Sequence, residues 1–564
     1  MKKKPIGLVS FLSVILLLLA GCSGGRPGAD TIILNARVYT VDAGRPWAEA
    51  VAVREGRILA VGTTKAVSRH KASETLVIDA GGRLVLPGFM DSHIHFVSGS
   101  TSLAKVDLAG TKTVEEIQER IRVFARENPD ASWVQGRGWM YAAFPGDMPH
   151  KKFLDEIVPD RPAVMSCADG HTTWVNSRAL AVAGVSRDTK DPLNGTIVRD
   201  ESGEPTGALL EEAGSLVSRH IPRPTEEGTL ASLRQGLSEA ARLGVVRAHG
   251  MGGEFEALDL LDRLKSEGAL TIRLSVSMWV DPPGPAGEDW KAYEEARARY
   301  DDEWLSLGGI KLMLDGVIDS GTGAMLDPYE NQRGNRGKLF WEPEAFKRAV
   351  AAFNAKGLQV STHAIGDAAI RLSLDAYEEA ALAAGNQHVR NKIEHAEDIA
   401  EVDISRFGRL GVIASFQPLH ANPDPTWMGT WIANVGPERE QRAFAWKAVL
   451  DTGGRLAFGS DWPVVTLSPW PGLQVAVTRR SLEGYPEGGW LPQHKVTLEE
   501  AVYAYTLGGA YAMHREKEEG SIEPGKLADL IMVDRNIFEI YPREIAKTEV
   551  LLTMVGGRVV HDAR

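Results

Sequence analysis

The middle of this chain alternates short apolar runs with amphipathic stretches, and that alternation leaves few folds open. The runs are Gly309-Ile-Lys-Leu-Met-Leu314, Leu358-Gln-Val-Ser-Thr-His363, Asn391-Lys-Ile-Glu-His395, Val412-Ile-Ala-Ser-Phe416 and Arg455-Leu-Ala-Phe-Gly459. Between them the spacing predicts helices over 343–356, 368–384 and 437–452. Repeated strand–helix units imply an α/β fold with a parallel sheet covered on both faces. This many units favour a closed (β/α)8 barrel of the TIM type over an open doubly wound sheet. No Gly-rich dinucleotide fingerprint follows the early strands.

The two ends have a different texture. Ala50-Val-Ala-Val-Arg-Glu-Gly-Arg-Ile-Leu-Ala-Val61 reads as a hairpin turning at Glu55-Gly56, and 549–560 reads as another turning at Gly556-Gly557. A small β-sandwich domain built from both termini, 31–87 and 515–564, is expected around a barrel at 88–514. Residues from about 100 to 241 break the alternation and gather Trp133, Trp139, Tyr141, Phe144 and Trp174. They read as an inserted subdomain capping the barrel mouth, with the aromatics packing it.

A chain of 564 residues exceeds one compact core, which agrees with this division. The net charge of −12 and the lack of a basic stripe exclude a general nucleic-acid binder. Two cysteines, Cys22 and Cys167, exclude a disulfide framework. Cys167 reads as a small buried residue. Cys22 ends the first segment: three lysines at 2–4, an apolar run at 6–20, then Leu19-Ala20-Gly21-Cys22. That pattern resembles a bacterial lipoprotein signal peptide, 1–22, lipidated at Cys22. An ordinary signal peptide or a transmembrane anchor is the alternative. A flexible tether at 23–30 follows. The expected product is an exported enzyme held to a membrane surface by its N-terminal lipid alone.

The chemistry begins at His93-Ile94-His95. Alternate residues of a strand share a face, so both imidazoles point one way and make half of a zinc or iron site. Asp91 and Ser92 are candidates for supporting hydrogen bonds. His363, His395 and Asp461 each end an apolar run, positions that open onto the catalytic face of a barrel. Lys311 lies within an apolar strand, where a charged amine is costly to bury. Either it reaches solvent, or it is carbamylated and bridges two metal ions as a carboxylate. His171, in Asp169-Gly-His171-Thr, is a candidate substrate ligand or a plain loop histidine. His249 ends Gly244-Val-Val-Arg-Ala-His249 and is not expected to be a ligand.

Pro87-Gly-Phe-Met-Asp-Ser-His-Ile-His95, Lys311-Leu-Met-Leu-Asp-Gly316, Thr362-His-Ala-Ile-Gly-Asp367, Ile393-Glu-His395, Phe416-Gln-Pro418, Gly459-Ser-Asp-Trp-Pro463 and the closing 520–530 segment follow one another in order. Together they resemble the amidohydrolase superfamily, in particular its amidohydrolase-3 group, which includes N-substituted formamide deformylase and, more distantly, D-aminoacylases. The resemblance spans about 32–560. It implies that His93 and His95 hold one divalent metal, zinc by preference, and that His363 and His395 hold a second. Lys311 would bridge them if carbamylated, and Asp461 would act as general base and then acid. The implied reaction is hydrolysis of a carbon–nitrogen bond, other than a peptide bond, in a small amide. Homodimerisation is left open. A mononuclear deaminase of the same superfamily is the alternative, but such enzymes carry a glutamate soon after the third histidine and here Ala364-Ile-Gly-Asp367 follows. A non-catalytic exported binding protein would be favoured only if ligands were missing.

Overall fold

The computed structural model describes residues 28–168, 172–192, 195–222, 224–284, 287–384 and 389–564. Residues 1–27 and His171 lie outside them, and so therefore do Cys22, the signal segment, most of the tether and the loop-histidine reading. Eight parallel strands form the central sheet: β1 (Phe89–Ile94), β2 (Val245–Gly250), β3 (Arg273–Val280), β4 (Leu305–Met313), β5 (Gln359–Ala364), β6 (Lys392–His395), β7 (Ile413–Phe416) and β8 (Arg455–Phe458). They pair in chain order from β1 to β8. Between β8 and β1 the seam is closed just past the end of β8. Asp461 N donates to His93 O at 2.8 Å, and His95 N donates to Trp462 O at 2.9 Å.

Alternation along each strand sorts its side chains. In β4, Ile310 and Leu312 pack in the core under the surrounding helices, while Lys311 takes the opposite face. In β5, Val360 packs in that core between Gln359, Ser361 and His363 on the other face. Helices Pro343–Ala355 and Asp367–Ala384 cover this part of the barrel, close to the expected bounds. The helix expected at 437–452 is two pieces instead. Pro425–Glu440 breaks at Gly436, whose φ is +77°, just before Pro437, and Trp446–Asp451 is separate. Proline removes a backbone donor and its ring clashes with the preceding turn, so the chain cannot run straight through it.

Between β1 and β2 lies a six-stranded sheet running from Val106–Asp107 to Pro205–Glu211. Trp139, Phe144 and Trp174 stack edge to face within it and form its own core with Cys167, which is buried. The next helix, Glu226–Arg242, is a barrel element rather than part of the insertion: Leu230, Leu233 and Leu237 sit in the barrel core. The 100–241 boundary read from the sequence is therefore too long at its C-terminal end. A polar face of that helix had hidden its apolar stripe among irregular neighbours.

The termini supply two further sheets. One joins Thr31–Leu34, Ala50–Arg54, Arg57–Gly62 and Leu76–Asp79. The other joins Arg37–Tyr39, Trp47–Ala48 and Leu84–Pro87 to Leu530–Val533, Val550–Val555 and Arg558–Asp562. Val53, Val85, Leu530 and Met554 share the core between them. Among the described residues no helix is long and apolar enough to cross a membrane.

Two buried ion pairs fasten this terminal unit to the barrel. Arg247 of β2 meets Glu519 twice, at 2.6 and 2.7 Å, with both side chains fully buried. Arg273 of β3 meets Asp529 at 2.8 and 3.2 Å, and Asp529 also accepts from Gly556 N at 2.6 Å. Asp529 belongs to the closing segment singled out in the sequence. Removing one partner of a buried pair leaves an uncompensated charge. Glu519→Ala is expected to lower stability by roughly 3–5 kcal/mol in chemical denaturation. Arg37→Ala, which breaks an exposed pair with Glu539, is expected to change it by under about 1 kcal/mol. Equal effects would contradict the anchoring role given to Glu519.

Candidate metal centre

The site is assembled on the seam between β1 and the turn after β8. Asp91 accepts hydrogen bonds from Ser460 N at 3.0 Å, Ser460 Oγ at 2.5 Å and His93 N at 3.2 Å. It thus supports the site through the backbone, while Ser92 contributes its carbonyl, which accepts from Lys392 Nζ at 3.0 Å. Gly459 lets the two segments close: a Cβ there would lie 2.6 Å from His93 N. Asp461 follows with φ +59°, a left-handed conformation that non-glycine residues rarely adopt.

This brings Asp461 against both β1 histidines. Its Oδ1 lies 3.4 Å from His93 Nε2 and 3.2 Å from His95 Nε2. On its other side, Oδ2 lies 3.8 Å from Nε2 of His420, a residue the sequence reading passed over. Two sets of donor atoms result, each within 4.8 Å of one another: His93, His95 and Asp461, and His395, His420 and Asp461. His395 reaches its place by breaking strand alternation. In β6, Lys392 and Glu394 share one face and His395 would take the other, but its φ is +71°. Its ring lies 4.8 Å from that of His93 and 4.5 Å from that of His363, and it stacks on His420 at 6.0 Å.

The donor set suits a divalent cation. Asp461 Oδ1 and His420 Nε2 are buried and make no hydrogen bond of proper geometry. His93 donates from Nδ1 to Glu394 Oε2 at 2.8 Å, and His395 donates from Nδ1 to Gln417 Oε1 at 2.7 Å. Such partners fix the tautomer and leave the Nε2 lone pair for an ion. Burial holds His93 down to about 4 and His363 to about 3, so both are neutral at ordinary pH. Burial works to raise Asp461, but the surrounding imidazoles, His93 first, outweigh it and keep the carboxyl well below its usual range.

His363 belongs to neither triad. Its Nε2 donates to Gly316 O at 3.2 Å, which places the free lone pair on Nδ1. Lys311 is buried with its Nζ 3.4 Å from His93 Nε2, and burial brings its amine down to about 8. His249 is buried with both ring nitrogens engaged, by Ser277 Oγ at 2.9 Å and Lys392 Nζ at 3.3 Å, as a structural residue would be. Glu394 and Gln417 were also missed. Alternation along β6 puts Glu394 on the face of Lys392, and Gln417 follows the end of β7. His420 stands four residues beyond that strand end, in the short turn Pro418–Ala421, outside the strand-end positions that His363 and His395 occupy.

The model of the amidohydrolase family matches residues 76–561. Protein LONG AFTER FAR-RED 3 of Arabidopsis thaliana is 31% identical over 547 residues, covering 94% of this chain and 92% of its own. N-substituted formamide deformylase of Arthrobacter pascens is 29% identical, covering 94% and 97%. An uncharacterized metal-dependent hydrolase from Pyrococcus horikoshii has the same fold, with a TM-score of 0.73 at 24% identity over 91% of this chain and 99% of that one. The chain belongs to the amidohydrolase family, as a hydrolase acting on carbon–nitrogen bonds.

Proposed function

We propose that the chain hydrolyses the carbon–nitrogen bond of a small N-acyl or N-formyl amide, with Asp461 moving the proton. The observation that carries this reading is the shared carboxylate: Asp461 lies between His93 and His95 on one side and His420 on the other. Imidazole and carboxylate donors suit zinc. His93 and His95 would hold one ion. His395, with His420 or with His363 through Nδ1, would hold a second. Divalent metal bound there supplies Lewis acidity and makes water a nucleophile near neutral pH. Asp461 takes the proton from the attacking water and returns it to the leaving nitrogen, so one group serves both steps. Similarity to N-substituted formamide deformylase supports an N-formyl or N-acyl group as the one removed.

Lys311 completes this reading. A buried ammonium facing a neutral imidazole, with no carboxylate in contact among the described residues, carries a desolvation cost. Addition of its neutral amine to carbon dioxide, with loss of a proton, converts that cation to a carbamate anion beside the metal positions.

Zinc-reconstituted protein is expected to release amine from N-benzylformamide or from N-acetyl amino acids. Asp461→Asn, assayed in the same excess of zinc, is expected to lose roughly 10²–10⁴-fold in kcat. An unchanged kcat would remove Asp461 from the proton path. We also propose that residues 1–22 direct export and lipidation at Cys22. Cells fed labelled palmitate should label the wild-type chain and not Cys22→Ala; equal labelling would exclude that site.

A further inference from the structure

The insertion reaches the catalytic face beside Asp461. Arg137, on the strand Val134–Trp139, donates from Nη1 to the carbonyl of Pro463 at 2.6 Å, two residues beyond Asp461. This strand runs parallel to Val106–Asp107, with Arg137 opposite Asp107, so those two side chains share a sheet face. Lys105 immediately precedes the shorter strand.

Lys105 and Arg137 are both half-buried. Among the described residues neither forms an ion pair, and the Lys105 ammonium has no hydrogen-bond partner. Arg137 makes no side-chain hydrogen bond beyond that to Pro463. Burial lowers both cations from their ordinary values, and repulsion by Arg137 lowers Lys105 further. Asp107 and Asp461 attract Arg137 without touching it, and Oδ1 of Asp107 accepts from Ala109 N at 2.9 Å. Two like charges drawn partly out of water without a contacting counter-ion cost free energy until an anion arrives. The remaining donors of a guanidinium fork match a carboxylate.

We propose that Lys105 and Arg137 form an anion subsite at the mouth of the metal centre, which selects amides bearing a carboxylate close to the scissile bond. This rests on the amide-hydrolase reading above for the meaning of the subsite, though not for its existence. Arg137 would also screen an incoming carboxylate from Asp461.

Binding separates the two claims. Asp461→Asn protein, expected to turn over slowly and with its bound zinc confirmed by metal analysis, is titrated calorimetrically with racemic N-acetylleucine and with racemic N-acetylleucinamide. The carboxylate is expected to bind at least ten-fold tighter. Adding Arg137→Met should bring the ratio close to one, Arg137→Lys should keep part of it, and Lys105→Met should reduce it. A ratio near one with Arg137 present overturns the subsite. So does a ratio that Arg137→Met leaves unchanged, or a loss of affinity for both ligands together, which would make Arg137 a docking residue only. A retained ratio with no cleavage of either compound, or of N-benzylformamide, by the zinc-loaded wild type would instead remove the amide-hydrolase reading and leave the subsite standing.

Discussion

The seam between the first barrel strand and the turn after the eighth is the contact on which the site depends. It is not a regular ladder. Two backbone hydrogen bonds, Asp461 to His93 and His95 to Trp462, join it, and the Asp91 carboxylate clamps Ser460 across it. The residues that close the barrel are therefore the ones that bring the β1 histidines to Asp461. The same constraint explains Gly459, where a side chain would strike His93, and the left-handed backbone of Asp461, a strain borne by closure.

Behind the seam the barrel interior is charged rather than apolar. Lys392 contacts Glu394 at 2.9 Å and His249 at 3.3 Å, and Glu394 holds His93. Buried charges are tolerable only when each is paired and hydrogen-bonded. Lys392 and Glu394 meet that condition by stacking with His249 and His93 beneath the site, whereas Lys311 does not. The benefit is orientation: the His93 ring is fixed from below, and its Nε2 is left facing Asp461.

Much of this was legible in the sequence because strand periodicity and strand-end position are local properties. His93 and His95 fall two positions apart on a predicted strand, and Asp461 follows an apolar run, so their direction could be read without a structure. The strand–helix alternation likewise favoured the barrel over an open sheet. What escaped were departures from periodicity and residues defined by tertiary neighbours. His395 was legible from its strand-end position, but the left-handed φ by which it enters the site is not given by alternation. His420 and Gln417 sit past a strand end, in a short turn whose path no spacing rule gives. Glu394 looked like an ordinary residue beside a ligand. Helix Glu226–Arg242 could be assigned to the barrel only once Leu230 and Leu237 were seen in its core.

Metal between His93, His95 and Asp461 is what the site's chemistry requires. The direct measurement is anomalous diffraction at the zinc edge from crystals of protein loaded with stoichiometric zinc. A peak about 2 Å from His93 Nε2, His95 Nε2 and a carboxylate oxygen of Asp461 is predicted. A map with the zinc bound elsewhere, and no peak among these three side chains, would contradict it.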